Sequence, residues 1–98
     1  MTVYAFVQPS MKNRAAYDRY QARFMAVFRC FQGRLLAADE DPAVLEGEWP
    51  MDKVVLMSFP DESAFREWSE SPEYQEISRD RKAGADAAVL LVQGLARD

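Results

Sequence analysis

The sequence predicts an α+β domain whose elements follow in the order β-α-β-β-α-β. Segments 3–8, 54–59 and 87–93 are rich in β-branched and other apolar residues, as strands are. Between them, apolar residues recur every three or four positions, which is typical of amphipathic helices. With 98 residues, of which 49% are hydrophobic, the chain has the size and composition of one globular domain over residues 1–98.

The first strand and the first helix have clear start and stop signals. The run from Val3 to Gln8 predicts a strand, and Pro9, which lacks a backbone N–H, closes it. Asn13 is a typical helix cap and Gly33 a typical helix stop. The apolar stripe between them consists of Tyr17, Tyr20, Phe24, Val27, Phe28 and Phe31.

The middle of the chain predicts two further strands. Residues 35–38 form a short second strand and the acidic segment 39–42, which ends in proline, a turn. Residues 43–46 then continue that strand or pair with it as a hairpin. The third strand, 54–59, is bounded by Pro60 and by Asp61, a second helix cap.

The second helical segment restarts at Ser71, Pro72 and Glu73. This tripeptide supplies a capping hydroxyl, a proline at the first helical position and an acid in the first turn. Gly84 ends the helix, and residues 87–93 form the last strand. The inward contacts expected of this segment are Ala64, Phe65, Trp68, Tyr74, Ile77 and Arg81.

Both faces of the predicted sheet are apolar. In the first strand Val3, Ala5 and Val7 point one way while Tyr4 and Phe6 point the other, and the third and last strands repeat this. The order β-α-β-β-α-β gives a ferredoxin-like, four-stranded antiparallel sheet with two helices on one face. Because a bare apolar face is unusual on a monomer, we expect a second copy to cover the other face, sheet to sheet.

Charge and composition argue against several partners. The net charge of −4 gives no reason to expect nucleic acid or an anionic membrane, both of which attract basic surfaces. The N-terminal segment lacks a signal-peptide pattern, and no apolar run reaches about 18 residues. We therefore expect a cytoplasmic protein that does not cross a membrane.

Cysteine and histidine usage excludes further classes. Cys30 has no second cysteine for an internal disulfide, and the absence of histidine removes Ser-His-Asp triads, a histidine haem ligand and the usual Cys/His metal sites. We expect neither a metal nor a cofactor. Cys30 predicts a packed thiol rather than a nucleophile, and the acidic segment 39–41 a solvated turn rather than a cation site.

Three segments resemble a known family. They are residues 45–50 (Leu-Glu-Gly-Glu-Trp-Pro), 59–60 (Phe-Pro) and 68–74 (Trp-Ser-Glu-Ser-Pro-Glu-Tyr), the last followed by Arg81. Through them the chain resembles the domain-of-unknown-function family 1330 (DUF1330) over nearly its whole length. The resemblance implies a dimeric α+β barrel, two ferredoxin-like units packed sheet to sheet, and no agreed reaction. Related barrels include cofactor-free quinone-forming monooxygenases, haem-degrading enzymes and plain ligand binders, so the fold does not choose among them.

Candidate site residues are the polar and aromatic groups near apolar segments. Arg81 follows Tyr74 by two helical turns, so both side chains can border one pocket between helix and sheet. An arginine fork suits a carboxylate or enolate oxygen, and aromatic walls suit a flat apolar ligand. The candidate ligand-binding residues are Arg81, Tyr74, Trp49, Glu46 and Ser71.

Each candidate also has a structural interpretation. Arg81 can pair with an acid such as Glu46 or cap buried carbonyls. Ser71 is a typical helix cap, and Tyr74 and Trp49 are typical core or interface aromatics. Glu46 acts as a general base only if burial raises its pKa, and otherwise it is a solvated residue at a strand edge.

Three functional hypotheses follow. The chain is a small homodimeric protein that binds an apolar or aromatic acidic metabolite between sheet and helices, a cofactor-independent oxygenase or isomerase, or an interaction module with no small ligand. An enzyme requires a titratable group and an anion stabiliser converging on one cavity, whereas a binding protein requires only the cavity.

Overall fold

The computed structural model describes residues 1–95, and residues 96–98 of the predicted domain lie outside the described part. Its strands and helices, in chain order, are β1 (Val3–Met11), α1 (Arg14–Phe28), β2 (Arg34–Asp39), β3 (Val54–Phe59), α2 (Glu62–Ser69), α3 (Pro72–Gly84) and β4 (Ala85–Gln93). The strands form one antiparallel sheet in the order β2-β3-β1-β4. The predicted ferredoxin-like fold is confirmed, and its second helical segment is divided into α2 and α3.

All three helices begin at the residues that the sequence predicts as caps. The side chains of Asn13, Asp61 and Ser71 each accept a hydrogen bond from the backbone N–H three residues later, at 3.2, 2.8 and 3.1 Å. These bonds satisfy amide groups that have no partner inside the helix. Within residues 1–95, no helix is long and apolar enough to cross a membrane.

The prediction that Pro9 closes the first strand is wrong, because β1 continues to Met11. Pairing with β3 ends at Val7, whereas pairing with β4 continues to Met11. The carbonyl of Pro9 accepts a hydrogen bond from the backbone N–H of Asp52 at 3.0 Å, so its polar backbone faces away from β4. A missing N–H therefore removes no bond from the β1–β4 ladder.

Two predictions for the middle of the chain are also wrong. Residues 43–46 form neither a continuation of β2 nor a hairpin partner, since they lie in an exposed loop where Leu45 is 93% exposed. Helix α1 ends at Phe28, before Gly33. A Cβ on Gly33 would lie 2.5 Å from the rings of Phe28 and Phe59, so this glycine permits close packing rather than stopping the helix.

The helices pack on one face of the sheet, where Trp68 lies at the centre of an aromatic cluster. Its ring stacks on Phe59 at a centroid distance of 5.5 Å and meets Phe28 edge-on at 5.3 Å. Tyr74 lies 4.3 Å from it. The opposite face carries Tyr4, Phe6, Val54 and Leu56, which are half-buried, and Leu90 and Val92, which are 52% and 41% exposed.

Gly84 offers a test of how closely α3 approaches the start of α1. A Cβ at this position would lie 2.5 Å from the backbone nitrogen of Tyr17 and 2.9 Å from the backbone oxygen of Asn13. We expect Gly84→Ala to lower the free energy of unfolding by about 1–3 kcal/mol through overpacking. Helix propensity alone predicts the opposite sign, a gain of up to about 1 kcal/mol.

Urea denaturation measures this difference. Arg79→Ala, at an exposed position of α3, is the matched control and should change the unfolding free energy by less than about 0.5 kcal/mol. A Gly84→Ala protein more stable than the wild type would show that the two helices can separate at no cost.

Candidate functional site

Two cavities lie between the helices and the sheet. The Tyr17 cavity, about 180 Å³, lies among α1, α3 and strands β1 to β3. It is lined by Val7, Tyr17, Tyr20, Gln21, Phe24, Met25, Leu35, Ala38, Lys53, Val55, Met57 and Arg81. The Trp68 cavity, also about 180 Å³, lies among α2, α3 and strands β1, β3 and β4. It is lined by Ala5, Val7, Met57, Phe65, Trp68, Ser69, Tyr74, Gln75, Ser78, Arg81, Lys82 and Val89.

Arg81 is the charged residue that both cavities share, together with Val7 and Met57. Its Nε atom is buried and has no hydrogen-bond partner within residues 1–95. No ion pair among those residues includes it. Because an unsatisfied buried donor costs about 1–3 kcal/mol, this guanidinium favours an acceptor at either cavity.

Lys53 brings a second cation to the Tyr17 cavity. It is 5% exposed, and its Nζ donates a hydrogen bond to Oε1 of Gln21 at 2.6 Å. The same atom lies 5.0 Å from the ring centroid of Tyr17 and 4.0 Å from Oε2 of Glu40. Burial lowers the pKa of Lys53, and the nearby Glu40 carboxylate partly offsets this by favouring the charged form.

The tyrosine hydroxyls of this region are held neutral by burial. Burial raises the pKa of Tyr17 to about 12 and also raises the pKa of Tyr20. The hydroxyls of Tyr20 and Tyr74 share a hydrogen bond of 3.0 Å. At neutral pH the Tyr17 cavity therefore combines uncharged phenols with cationic Lys53 and Arg81.

Three of the predicted site residues lie together on α3 or at its start. Arg81 and Tyr74 both line the Trp68 cavity, as their spacing predicts. Ser71 is buried as the N-cap of α3, and its Oγ also donates a hydrogen bond to the backbone oxygen of Trp68 at 2.8 Å. Its hydroxyl is thus engaged in capping, and it lines neither cavity.

Glu46 and Trp49 lie away from both cavities. Glu46 is exposed in the loop between β2 and β3, so the suggested pairing with Arg81 does not form. The Nε1 of Trp49 donates a hydrogen bond to Oε1 of Gln8 at 2.9 Å. Gln8 points to the same side of β1 as Tyr4 and Phe6. Trp49 therefore lies at the open face of the sheet, the face that the helices do not cover.

Sequence reasoning did not identify Lys53 as a site residue and assigned Tyr17 and Trp68 to the core alone. One signal for Lys53 was available, since it has the parity of Val55 and Met57 and therefore points toward the helices. Tyr17 and Trp68 do belong to the core, but each also borders a cavity. A core position and a cavity wall give the same hydrophobic pattern.

The structure also bears on the predictions for Cys30 and for the acidic segment 39–41. Cys30 lies beyond α1 and is exposed, so the expectation of a packed thiol is wrong. In the acidic segment, Asp39 Oδ1 accepts a hydrogen bond from the backbone N–H of Asp41 at 2.8 Å. Glu40 Oε2 accepts one from Nη2 of Arg14 at 2.8 Å, which lowers the pKa of Glu40. Glu40 therefore forms an ion pair with Arg14 close to Lys53.

Comparison with known proteins places the chain in one family. The family described as domain of unknown function (DUF1330) matches residues 2–95. A comparison with curated proteins finds no match.

Solved structures share the fold at low sequence identity. The RPA0582 protein of unknown function from Rhodopseudomonas palustris is 19% identical with a TM-score of 0.80, and the match covers 98% of this chain and 84% of that one. A dimeric ferredoxin-like protein of unknown function from Jannaschia sp. CCS1 is 15% identical with a TM-score of 0.72, covering 96% and 100%. SnoaB, a cofactor-independent oxygenase from Streptomyces nogalater, is 18% identical with a TM-score of 0.69, covering 98% of each.

The raised pKa of Tyr17 predicts a loss of stability at high pH. Because the folded state keeps its proton up to about pH 12 while the unfolded phenol loses it near 10.0, this stabilisation is complete below pH 10.0 and is lost as the pH rises toward 12. We expect Tyr17→Phe to remove about 2 kcal/mol of that alkaline decline. Denaturant unfolding at a series of pH values measures it, with the pH range below 10.0 as the reference. Parallel alkaline slopes for the two proteins would contradict the assignment.

Proposed function

The chain belongs to the DUF1330 family, and we propose that it is a homodimeric protein that binds a small aromatic or apolar acid between its helices and sheet. The observation that carries this proposal is the position of Arg81. Its buried Nε has no partner within residues 1–95, and the side chain borders two cavities with largely apolar walls. An acidic ligand would supply the missing acceptor and offset the positive charge.

The size and lining of the Tyr17 cavity narrow the ligand class. A cavity of about 150 Å³ accommodates a benzene-sized molecule, and the Tyr17 cavity has about 180 Å³. Phe24 and Met57 are among its apolar walls, while Arg81 and Lys53 supply positive charge and no carboxylate of residues 1–95 lines it. These properties favour a single ring, or an aliphatic group of similar size, that carries one carboxylate.

The open face of the sheet supports the homodimer. Phe6 lies between Leu56 and Leu90 in the strand register, so the centre of this face is apolar. A contiguous apolar surface of this kind on a small domain is typical of an interface. Two structural neighbours, from Jannaschia sp. CCS1 and from Bacteroides fragilis, are described as dimeric, and a two-fold pairing would bury the same face of both copies.

A cofactor-independent oxygenase is the second candidate function, as SnoaB has the same fold. The observation that favours it is Lys53, a buried amine of lowered pKa beside the phenol of Tyr17. The neutral form of this amine, which burial favours, would accept a proton from an activated substrate, and Arg81 would stabilise the resulting anion. Consumption of dissolved oxygen in the presence of a bound phenolic acid would support this function, and binding without consumption would favour the binding protein.

Benzoate is the probe for the proposed ligand class. We expect calorimetric titration to detect benzoate binding, and Arg81→Met to weaken it by about tenfold or more, because a hydrogen bond to a charged group contributes about 1.5–3 kcal/mol. Arg79→Met removes an exposed arginine from the same helix and should leave the affinity unchanged. Equal losses in both variants would show that only net charge matters, and wild-type affinity in Arg81→Met would refute the role of Arg81.

The homodimer is tested at the centre of the open face. We expect sedimentation equilibrium to give twice the chain mass for the wild type and the monomer mass for Phe6→Glu, because a carboxylate would be buried against apolar side chains. Leu45→Glu, in the loop between β2 and β3, is the matched control and should remain dimeric. A monomer mass for the wild type at all concentrations would rule out the dimer.

A further inference from the structure

Trp68 borders the Trp68 cavity and carries a second buried hydrogen-bond donor that has no partner among residues 1–95. Trp68 is 3% exposed, and its Nε1 atom is buried without an acceptor within residues 1–95. Arg81 borders the same cavity, and its Nε atom is likewise buried without an acceptor within residues 1–95. The other indole in the chain, that of Trp49, does have an acceptor, Oε1 of Gln8 at 2.9 Å.

The remaining polar side chains around this cavity are largely occupied. The hydroxyl of Tyr74 bonds to that of Tyr20, and the Ser78 hydroxyl donates to the backbone oxygen of Gln75 at 2.9 Å. The Gln75 side-chain amide donates to the backbone oxygen of Ser69 at 2.6 Å. The buried atoms left without a partner are therefore both donors, and a molecule that satisfies them must present acceptor oxygens.

We propose that the Trp68 cavity is a second binding site and that it takes a small carboxylate with a short apolar chain. One carboxylate oxygen accepts from the indole N–H of Trp68 and the other from Nε–H of Arg81. Arg81 and Lys82 give this cavity positive charge, and none of its lining residues in the described part of the chain is acidic. Phe65 and Val89 provide apolar wall for the chain of the ligand. The two cavities share the single Nε–H of Arg81, so acids in both cavities would compete for this donor.

The indole N–H of Trp68 reports directly on this binding in a proton–nitrogen correlation spectrum of the ¹⁵N-labelled protein. The chain has two tryptophans, so Trp49→Phe assigns the two indole signals. Propanoate is the probe. We expect it to move the Trp68 indole proton downfield with saturation, because the N–H gains an acceptor, while the signal of Trp49 stays in place.

Two comparisons make the result decisive. Arg81→Met should weaken propanoate binding, followed at the Trp68 signal, by about tenfold or more, whereas Arg79→Met should leave it unchanged. Propanamide, which has the same shape but one acceptor oxygen and no charge, should bind about tenfold more weakly than propanoate or not at all.

The spectrum also separates the two cavities. The side-chain amide of Gln21 borders the Tyr17 cavity alone, so its response reports propanoate in that cavity, whereas the Trp68 indole reports propanoate in the Trp68 cavity. A response of Gln21 without one of Trp68, or no response of either, would overturn the second site. Because benzoate binding is measured separately, failure of the propanoate experiment does not remove the proposed function, and failure of the benzoate experiment does not remove this site.

Discussion

The packing of Trp68 is the interaction on which the rest of the structure depends. The ring of this one side chain contacts Phe28 on α1, Phe59 on β3 and Tyr74 on α3, at centroid distances of 5.3, 5.5 and 4.3 Å. Since aromatic rings are rigid and protein interiors are closely packed, these contacts fix the separation of the helices from the sheet. Ser71 Oγ accepts a hydrogen bond from the Tyr74 amide and donates one to the Trp68 backbone oxygen, so it ties the start of α3 to the backbone of Trp68. The cavities therefore have a rigid frame.

Between the helices and the sheet, the buried Nε of Arg81 lowers the stability of the fold, because no residue in the range 1–95 accepts its hydrogen bond. Arg81 is half-buried, and its buried Nε–H would normally donate to a carboxylate or a carbonyl group, because a buried donor without a partner is unfavourable. Here two carboxylates of α3 are engaged with arginines of α1: Asp80 with Arg19 and Glu76 with Arg23. The proposed acidic ligand would resolve this conflict by supplying an acceptor that residues 1–95 do not provide. The same reasoning links the two cavities, since both border this guanidinium.

The structural neighbours show how little the fold says about chemistry. A cofactor-independent oxygenase and proteins of unknown function share this architecture with the chain at 15–19% sequence identity. The sheet and helices provide a cavity, and the side chains that line it decide what it can hold or transform. Within residues 1–95 the side chains around the two cavities include phenols, the three cations Arg81, Lys53 and Lys82, and the unpartnered indole of Trp68, a set suited to anions. The apolar open face is a separate property, and it concerns assembly rather than ligand chemistry.

The sequence by itself determined the order of the elements, the three helix caps at Asn13, Asp61 and Ser71, and the shared face of Tyr74 and Arg81. These features follow from local periodicity and from hydrogen bonds within a few residues, which need no distant partner. The tertiary structure decided that Lys53 enters a cavity and that Glu46 and Trp49 stay outside it. It also decided that Nε1 of Trp68 and Nε of Arg81 have no acceptor among residues 1–95. Burial and hydrogen-bond partners depend on elements far apart in the chain, so no local pattern contains them.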